Sequence, residues 1–245
     1  MSIHIIELYP ETLSLNGDVG NRTALAHRAR LAGLDVIESS YRVADDVPGD
    51  DVDIILIGSG TSSAVHQIAP DLDRIASWLR ERVADGAVLV AAGAGFSLMT
   101  RSVRYATDDT ITGVGVFAAD TDASAPRIIT EGFAVETALG LVVGTENHTT
   151  VVTRDAGQDP FGSVRYGTGN GDGTEGAVVA NAIGTHCHGP LLPMNPAVTD
   201  DLLRRVAERA GLIYETTAAH RDLDEVTRQT RAILLSKSGI TDTWS

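Results

Sequence analysis

The chain has 245 residues and a formal net charge of −14, because 33 Asp and Glu outnumber 19 Lys and Arg. This negative charge argues against a nucleic-acid partner, and no apolar run approaches the roughly 20 residues that span a bilayer. Cys187 is the one cysteine, so no intramolecular disulfide can form. With no signal peptide visible at the start of the sequence, we expect a cytoplasmic protein with no membrane span.

Strands and helices alternate over the first hundred residues. The pattern predicts strands at 4–9, 35–41, 53–57 and 87–92, with helices at 21–31 and 70–84. The strand at 87–92 is apolar throughout, as in a parallel sheet covered on both faces. The alternation therefore predicts an α/β fold with an open, mostly parallel sheet flanked by helices.

After residue 110 the pattern changes to short β-type runs divided by Gly, Asp and Asn. Such runs stand at 114–117, 128–130, 142–143, 151–153, 164–166 and 178–179. They predict an added antiparallel layer, with 167–176 as a loop and helices at 196–210 and 218–235. We expect one domain over 1–214 and a C-terminal helical extension over 215–245. The apolar side of the last helix packs either on the core or on a partner.

Three glycine-rich turns, at 16–21, 58–60 and 93–95, follow predicted parallel strands. Ligands bind at the carboxyl ends of such strands, so the turns predict a pocket; the alternative is that glycines only end the strands tightly. The last turn has the layout of a nucleophile elbow, in which a strand leads through a sharp turn bearing Ser or Cys into a helix. Here the elbow position is Gly93, which has no side chain.

A second polar segment contains His186, Cys187 and His188. Consecutive His and Cys lack the usual spacing of metal ligands, which disfavours a metal site. Neighbouring strand residues point to opposite faces, which disfavours a Cys187–His188 nucleophile pair. The remaining hypothesis is that His186 or His188 is a general base for a nucleophile elsewhere. The polar run at 144–148 has a simpler interpretation as an exposed turn, and Arg127 as a surface residue.

Together these segments resemble the class I glutamine amidotransferases of the CobB/CobQ type, and most closely the GatD subunits of lipid II isoglutaminyl synthase. The resemblance runs in family order over about residues 4–210. Its most specific part is the run His-Gly-Pro-Leu-Leu-Pro-Met-Asn-Pro from His188 to Pro196. It implies the flavodoxin-like sheet of that class.

In that family, a Cys thiolate attacks the side-chain amide of glutamine, a His acts as base and acid, and backbone N–H groups hold the oxyanion. The resemblance implies a catalytic role for His188 and makes Gly93 a vacant nucleophile position. It implies no cofactor and no metal, and a Mur-ligase-like, MurT-type partner that uses ammonia and ATP. The substrate-binding candidates, for glutamine or another small polar ligand, are Arg127, Gly58, Gly60, Ala94, Asn147 and His148.

The chain departs from the family pattern around this one pocket. Gly93 replaces the elbow cysteine, Ser97 replaces a glutamine, and Thr145 replaces a phenylalanine. The turn Gly-Gly-Gly-Gln-Asp reads Gly-Ser-Gly-Thr-Ser at 58–62. Several changes favour natural loss of hydrolysis, so the main hypothesis is a non-hydrolysing subunit. The alternatives are an active hydrolase or amidotransferase of altered chemistry with His188 as base, and a glutamine-binding sensor.

Overall fold

The computed structural model describes residues 2–106 and 109–242. The helices are α1 (Val19–Leu31), α2 (Ser62–Ala84), α3 (Ala94–Met99), α4 (Leu191–Met194), α5 (Pro196–Arg209) and α6 (Ala218–Leu235). The strands are β1 (Ser2–Leu8), β2 (Asp35–Tyr41), β3 (Ile54–Ile57), β4 (Val88–Ala92), β5 (Ser102–Arg104), β6 (Thr110–Thr112), β7 (Ala119–Asp122), β8 (Ile128–Thr137), β9 (Gly140–His148), β10 (Val151–Arg154), β11 (Gly162–Tyr166), β12 (Thr174–Glu175), β13 (Ala177–Val179), β14 (Ala182–Thr185) and β15 (Cys187–His188).

The main sheet has six strands in the order β13-β14-β4-β3-β1-β2. All neighbours in it run parallel except β13 and β14. Strands β3 and β4 are buried along their whole length, as the apolar sequence of 87–92 predicts. The predicted α/β fold with a mostly parallel sheet is therefore confirmed, and the carboxyl ends of β1, β3, β4 and β14 meet at one edge.

A mainly antiparallel layer joins this edge, also as predicted, although β5 and β7 in it pair in parallel. It consists of two sheets, in the orders β10-β7-β5-β6 and β12-β11-β8-β9-β15. A single residue, His186, separates β14 in the parallel sheet from β15, which pairs with β9. The chain thus crosses from one sheet to the other beside the elbow, and this crossing places His188 over it.

Three of the predicted bounds need correction. Helix α2 begins at Ser62 rather than at 70, because the Thr61 hydroxyl accepts a hydrogen bond from the Ala64 N–H and caps the helix about two turns before Pro70. Helix α1 begins before Asn21, with Asp18 at its N-cap. The loop predicted at 167–176 contains strand β12.

The prediction of a strand at 114–117 is wrong, because the structure has an irregular segment there. The N–H groups of Val114 and Phe117 bond to the carbonyls of Leu98 and Met99 rather than to a strand of the layer.

Helix α6 packs on the rest of the chain through buried arginines and, at its C-terminal end, through Leu234 and Leu235, which pack on β8 and β9. Arg28 of α1 donates to Asp200 of α5 and to Asp224 of α6. Arg231 of α6, only 2% exposed, donates to the Asn195 side chain, two backbone carbonyls and Asp242. Three other apolar side chains of the helix are exposed, namely Leu223, Val226 and Ile233, and whether a partner covers them stays a prediction.

No helix within the described parts of the chain is long and apolar enough to cross a membrane.

We predict that Arg231→Met lowers the free energy of unfolding by about 3 kcal/mol, because it leaves buried acceptors and Asp242 without their cation. Chemical denaturation measures this change. Arg228→Met on the same helix is the matched control, since Arg228 is exposed and pairs with Glu225, and it should cost less than about 1 kcal/mol. Equal losses in the two variants would contradict the buried role of Arg231.

Candidate functional site

The turn between β4 and α3 has the backbone of a nucleophile elbow. Gly93 has φ +54° and ψ −114°, a conformation that residues with a side chain adopt only under strain. Its N–H donates to the carbonyl of Thr185 on the neighbouring strand β14. A Cβ atom placed on Gly93 would lie 2.7 Å from Cε1 and 2.8 Å from Nε2 of His188. The missing side chain would therefore point at the imidazole of His188.

His188 has the geometry of a general base. It is 1% exposed, and its Nδ1 lies 3.2 Å from Oδ1 of Asp18. An ionised carboxylate only accepts hydrogen bonds, so Nδ1 is the donor in this contact, and in the tautomer that follows Nε2 carries the lone pair. Nε2 is buried and makes no hydrogen bond to any residue that the structure describes. The lone pair thus faces the position above Gly93.

Asp18 is held in place by the turn after β3. Its second carboxylate oxygen accepts a 2.6 Å hydrogen bond from the Ser59 N–H. Close packing requires glycine at Gly58, since a Cβ there would lie 2.5 Å from the carbonyl oxygen of Leu13 and 2.9 Å from Cβ of Asp18. The base and the residue that orients it are therefore fixed by backbone contacts.

The structure brings the three glycine-rich turns together. The Leu15 N–H donates to the Ser59 carbonyl, and the Gly95 N–H donates to the Gly58 carbonyl. Beside them lies a cavity of about 330 Å³. Its lining is Leu15, Asn16, Ser59, Gly60, Thr61, Ser62, Val65, Gly93, Ala94, Ser97, Val103, Tyr105, Ala123, Arg127, Asn147, His148, Thr149 and Thr150. Of the site residues that the resemblance implies, only Gly58 and His188 are outside this lining, and both contact residues of the turns.

Arg127 carries the one permanent positive charge among the described residues that line this cavity. Its guanidinium donates twice to the Asn147 side chain, at 3.1 and 2.8 Å, and the Asn147 amide donates in turn to Asn16. This chain of bonds orients the guanidinium while leaving the side chain exposed. The arrangement suits an anionic group such as a carboxylate.

A buried acid–histidine network lies beneath the cavity. Glu146 is fully buried and accepts bonds from the Thr130 hydroxyl, from His148 and from the N–H groups of Thr168 and Gly169. Burial alone would raise the pKa of Glu146, but these hydrogen bonds outweigh it and lower the pKa to about 2. The interpretation of 144–148 as an exposed turn is wrong, because these residues end strand β9 and Glu146 points inward.

His186 belongs to this network rather than to the elbow. Its Nδ1 lies 3.1 Å from Glu175, its Nε2 lies 3.0 Å from the Thr150 hydroxyl, and its ring stacks on His148 at 4.1 Å. Burial lowers the pKa of His186 despite the opposing charge of Glu175. Of the two histidines considered as bases, His188 alone faces Gly93.

No neighbouring side chain stands in for the elbow cysteine within the described site. Cys187 is fully buried, and burial raises the pKa of its thiol well above the ordinary value. Ser97 is buried one helical turn away, where its hydroxyl lies 3.5 Å from the Gly93 carbonyl. Neither group is an activated nucleophile.

Comparison with known proteins agrees with this geometry. Residues 20–196 match the CobB/CobQ-like glutamine amidotransferase domain. The chain belongs to this family.

Two CobB/CobQ-like relatives are GatD subunits of glutamine-hydrolysing lipid II isoglutaminyl synthases. The protein from Staphylococcus aureus is 28% identical over 96% of this chain and 97% of its own length. The protein from Streptococcus pneumoniae is 28% identical over 79% of this chain and 76% of its own length. The structure of PurLQS from Thermotoga maritima superposes with a TM-score of 0.53 at 12% identity, over 85% of this chain and 97% of that one, which shows a shared fold.

Sequence reasoning missed three residues of this CobB/CobQ-like site: Asp18, Ser59 and Glu146. All three were within motifs, but none was assigned a role. The available signal for Asp18 was its position as a carboxylate in a turn after a parallel strand, in a chain that also has a candidate base. The roles of Ser59 and Glu146 depend on contacts between distant segments, which no local spacing reveals.

We predict a distinct acid sensitivity for this network. The low pKa of Glu146 stabilises the fold above the unfolded-state pKa of about 4.5, and this stabilisation is lost as pH falls toward 2. The difference in unfolding free energy between wild type and Glu146→Gln should therefore be largest near neutral pH and shrink below pH 4.5. Glu131→Gln, at an exposed site, is the control. A difference that stays constant from neutral pH to about pH 3 would contradict the assignment.

Proposed function

We propose that this chain is a GatD-like subunit that has lost hydrolysis of glutamine and acts as the non-hydrolysing partner of a Mur-ligase-like, MurT-type enzyme. That enzyme would form an amide with ATP in the modification of a cell-wall precursor or in a related pathway. The observation that carries the proposal is the His188–Asp18 pair, which is intact and aimed at a position with no side chain. The single cysteine fits a reducing compartment such as the cytoplasm.

The loss of hydrolysis follows from the chemistry of the family. Release of ammonia requires a nucleophile to form an acyl-enzyme, and Gly93 supplies none. Losing the nucleophile costs several orders of magnitude in rate even when the base remains. The buried, protonated thiol of Cys187 supports the proposal further, because no second thiol is available to replace the first.

The cavity supports a remaining binding role. Arg127, which lines the cavity, offers a positive charge for a carboxylate. The subunit would stabilise or gate the ligase, which would then draw on free ammonia or another amine. A glutamine sensor is a variant of this role, and saturable binding of glutamine without product would identify it.

A hydrolase of altered chemistry is the second candidate. It is favoured by Nε2 of His188, whose lone pair is not engaged by any hydrogen bond to the described residues. Such an enzyme would lose turnover in His188→Ala.

We predict that the chain, purified with its Mur-ligase-like partner, releases ammonia from glutamine no faster than the His188→Ala variant of the same complex. The partner should form its amide when ammonium is supplied. Coupled detection of glutamate measures the first rate, and mass spectrometry of the amidated product measures the second. Glutamate release well above that of His188→Ala would refute the loss of hydrolysis and favour the second candidate.

A further inference from the structure

The space that a nucleophile would occupy at Gly93 is already filled. A Cβ atom on Gly93 would lie 2.5 Å from the Ser59 hydroxyl oxygen, nearer than to either atom of the His188 ring. Real Cβ atoms do not approach other atoms so closely, so a side chain at this position would displace Ser59, His188 or both. The His188 ring is tied to Asp18, which leaves Ser59 as the closest obstacle.

The backbone of Ser59 is fixed on both sides. Its N–H donates to Asp18 at 2.6 Å, and its carbonyl accepts from the Leu15 N–H at 2.9 Å. The residue is 6% exposed. Only rotation about the Cα–Cβ bond of Ser59 can therefore move the hydroxyl out of this space. That rotation breaks the hydrogen bond that the hydroxyl accepts from the Ala94 N–H.

The Ser59 hydroxyl also takes a hydrogen bond that catalysis would need. The Ala94 N–H donates to the Ser59 oxygen at 3.3 Å. In a nucleophile elbow, the N–H of the residue after the nucleophile is one of the donors that stabilise the oxyanion. In this chain that donor is the Ala94 N–H, and the Ser59 hydroxyl oxygen already accepts its hydrogen bond.

We infer that Ser59 is the residue that holds the site in its non-hydrolysing form, by filling the nucleophile's space and occupying the oxyanion donor. The inference rests on the proposed function and deepens it. Ser59 is a blocking residue and not a substitute nucleophile, because its oxygen accepts from the oxyanion donor and makes no hydrogen bond to Nε2 of His188. A thiol restored at position 93 must displace the Ser59 hydroxyl and break its bond to the Ala94 N–H, so we expect full hydrolysis only when Ser59 is also removed.

Four proteins test this inference, each purified with the Mur-ligase-like partner: wild type, Ser59→Gly, Gly93→Cys and the double variant Gly93→Cys/Ser59→Gly. Wild type and Ser59→Gly should release no ammonia from glutamine. The double variant should exceed Gly93→Cys by at least about tenfold, since one oxyanion donor is worth a factor of about 10² or more. Equal release by the two cysteine variants would overturn the role of Ser59 while leaving the proposed function intact.

Alkylation by iodoacetamide supplies a second readout that does not require glutamine to bind. The introduced thiol should react faster in the double variant, where it reaches His188, and the buried Cys187 serves as an internal control within each protein. Equal alkylation rates in the two cysteine variants would overturn the inference even if neither hydrolyses glutamine.

Thermal unfolding supplies a third readout, which applies if Gly93→Cys is too unstable for the activity measurement. Ser59→Gly should change the melting temperature more favourably in Gly93→Cys than in wild type. The reason is that only in Gly93→Cys does it relieve the contact between the Ser59 hydroxyl and a side chain at position 93. The same effect in both backgrounds would contradict the inference.

Two results separate the inference from the proposed function. Ammonia release by wild type would refute the proposed function. Labelling of Ser59 by a fluorophosphonate, dependent on His188, would make Ser59 a nucleophile and overturn the blocking role.

Discussion

The hydrogen bond between Asp18 and His188 is the contact on which the candidate site depends. It joins residues 170 positions apart, one at the start of α1 and the other in β15. Because the carboxylate can only accept, it fixes the proton on Nδ1 and leaves Nε2 as a base. Asp18 also binds the Ser59 N–H, so the same side chain ties the turn after β3 to the imidazole. Base, orienting acid and elbow are thus parts of one rigid arrangement.

This arrangement does not depend on a side chain at position 93. The contacts that hold it are largely backbone contacts and buried polar bonds, and they stabilise the fold whether or not a thiol is present. Gly93 keeps the strained backbone of the elbow at no steric cost, since glycine adopts positive φ freely. Under the proposed function, the absence of a side chain at position 93 would remove the hydrolytic chemistry while leaving the surrounding structure in place.

Local patterns in the sequence predicted the main sheet and the antiparallel layer, and motif order led to the proposal that His188 is the base. These features depend on hydrophobic periodicity and on motif order, which short segments carry by themselves. The way α6 docks was not predictable in this way, because buried Arg28 and Arg231 supplement the apolar contacts of Leu234 and Leu235 that periodicity assumes. The role of Ser59 depends on how closely two turns approach, and that distance is a property of the whole fold.

The central claim is that the position above Gly93 is the nucleophile site, with His188 aimed at it. A crystal structure of the Gly93→Cys/Ser59→Gly variant in complex with the partner tests this most directly. We predict that the introduced sulfur lies within hydrogen-bonding distance of Nε2 of His188, while Nδ1 still bonds to Asp18. A sulfur directed away from the imidazole, with the elbow backbone rearranged, would contradict the account.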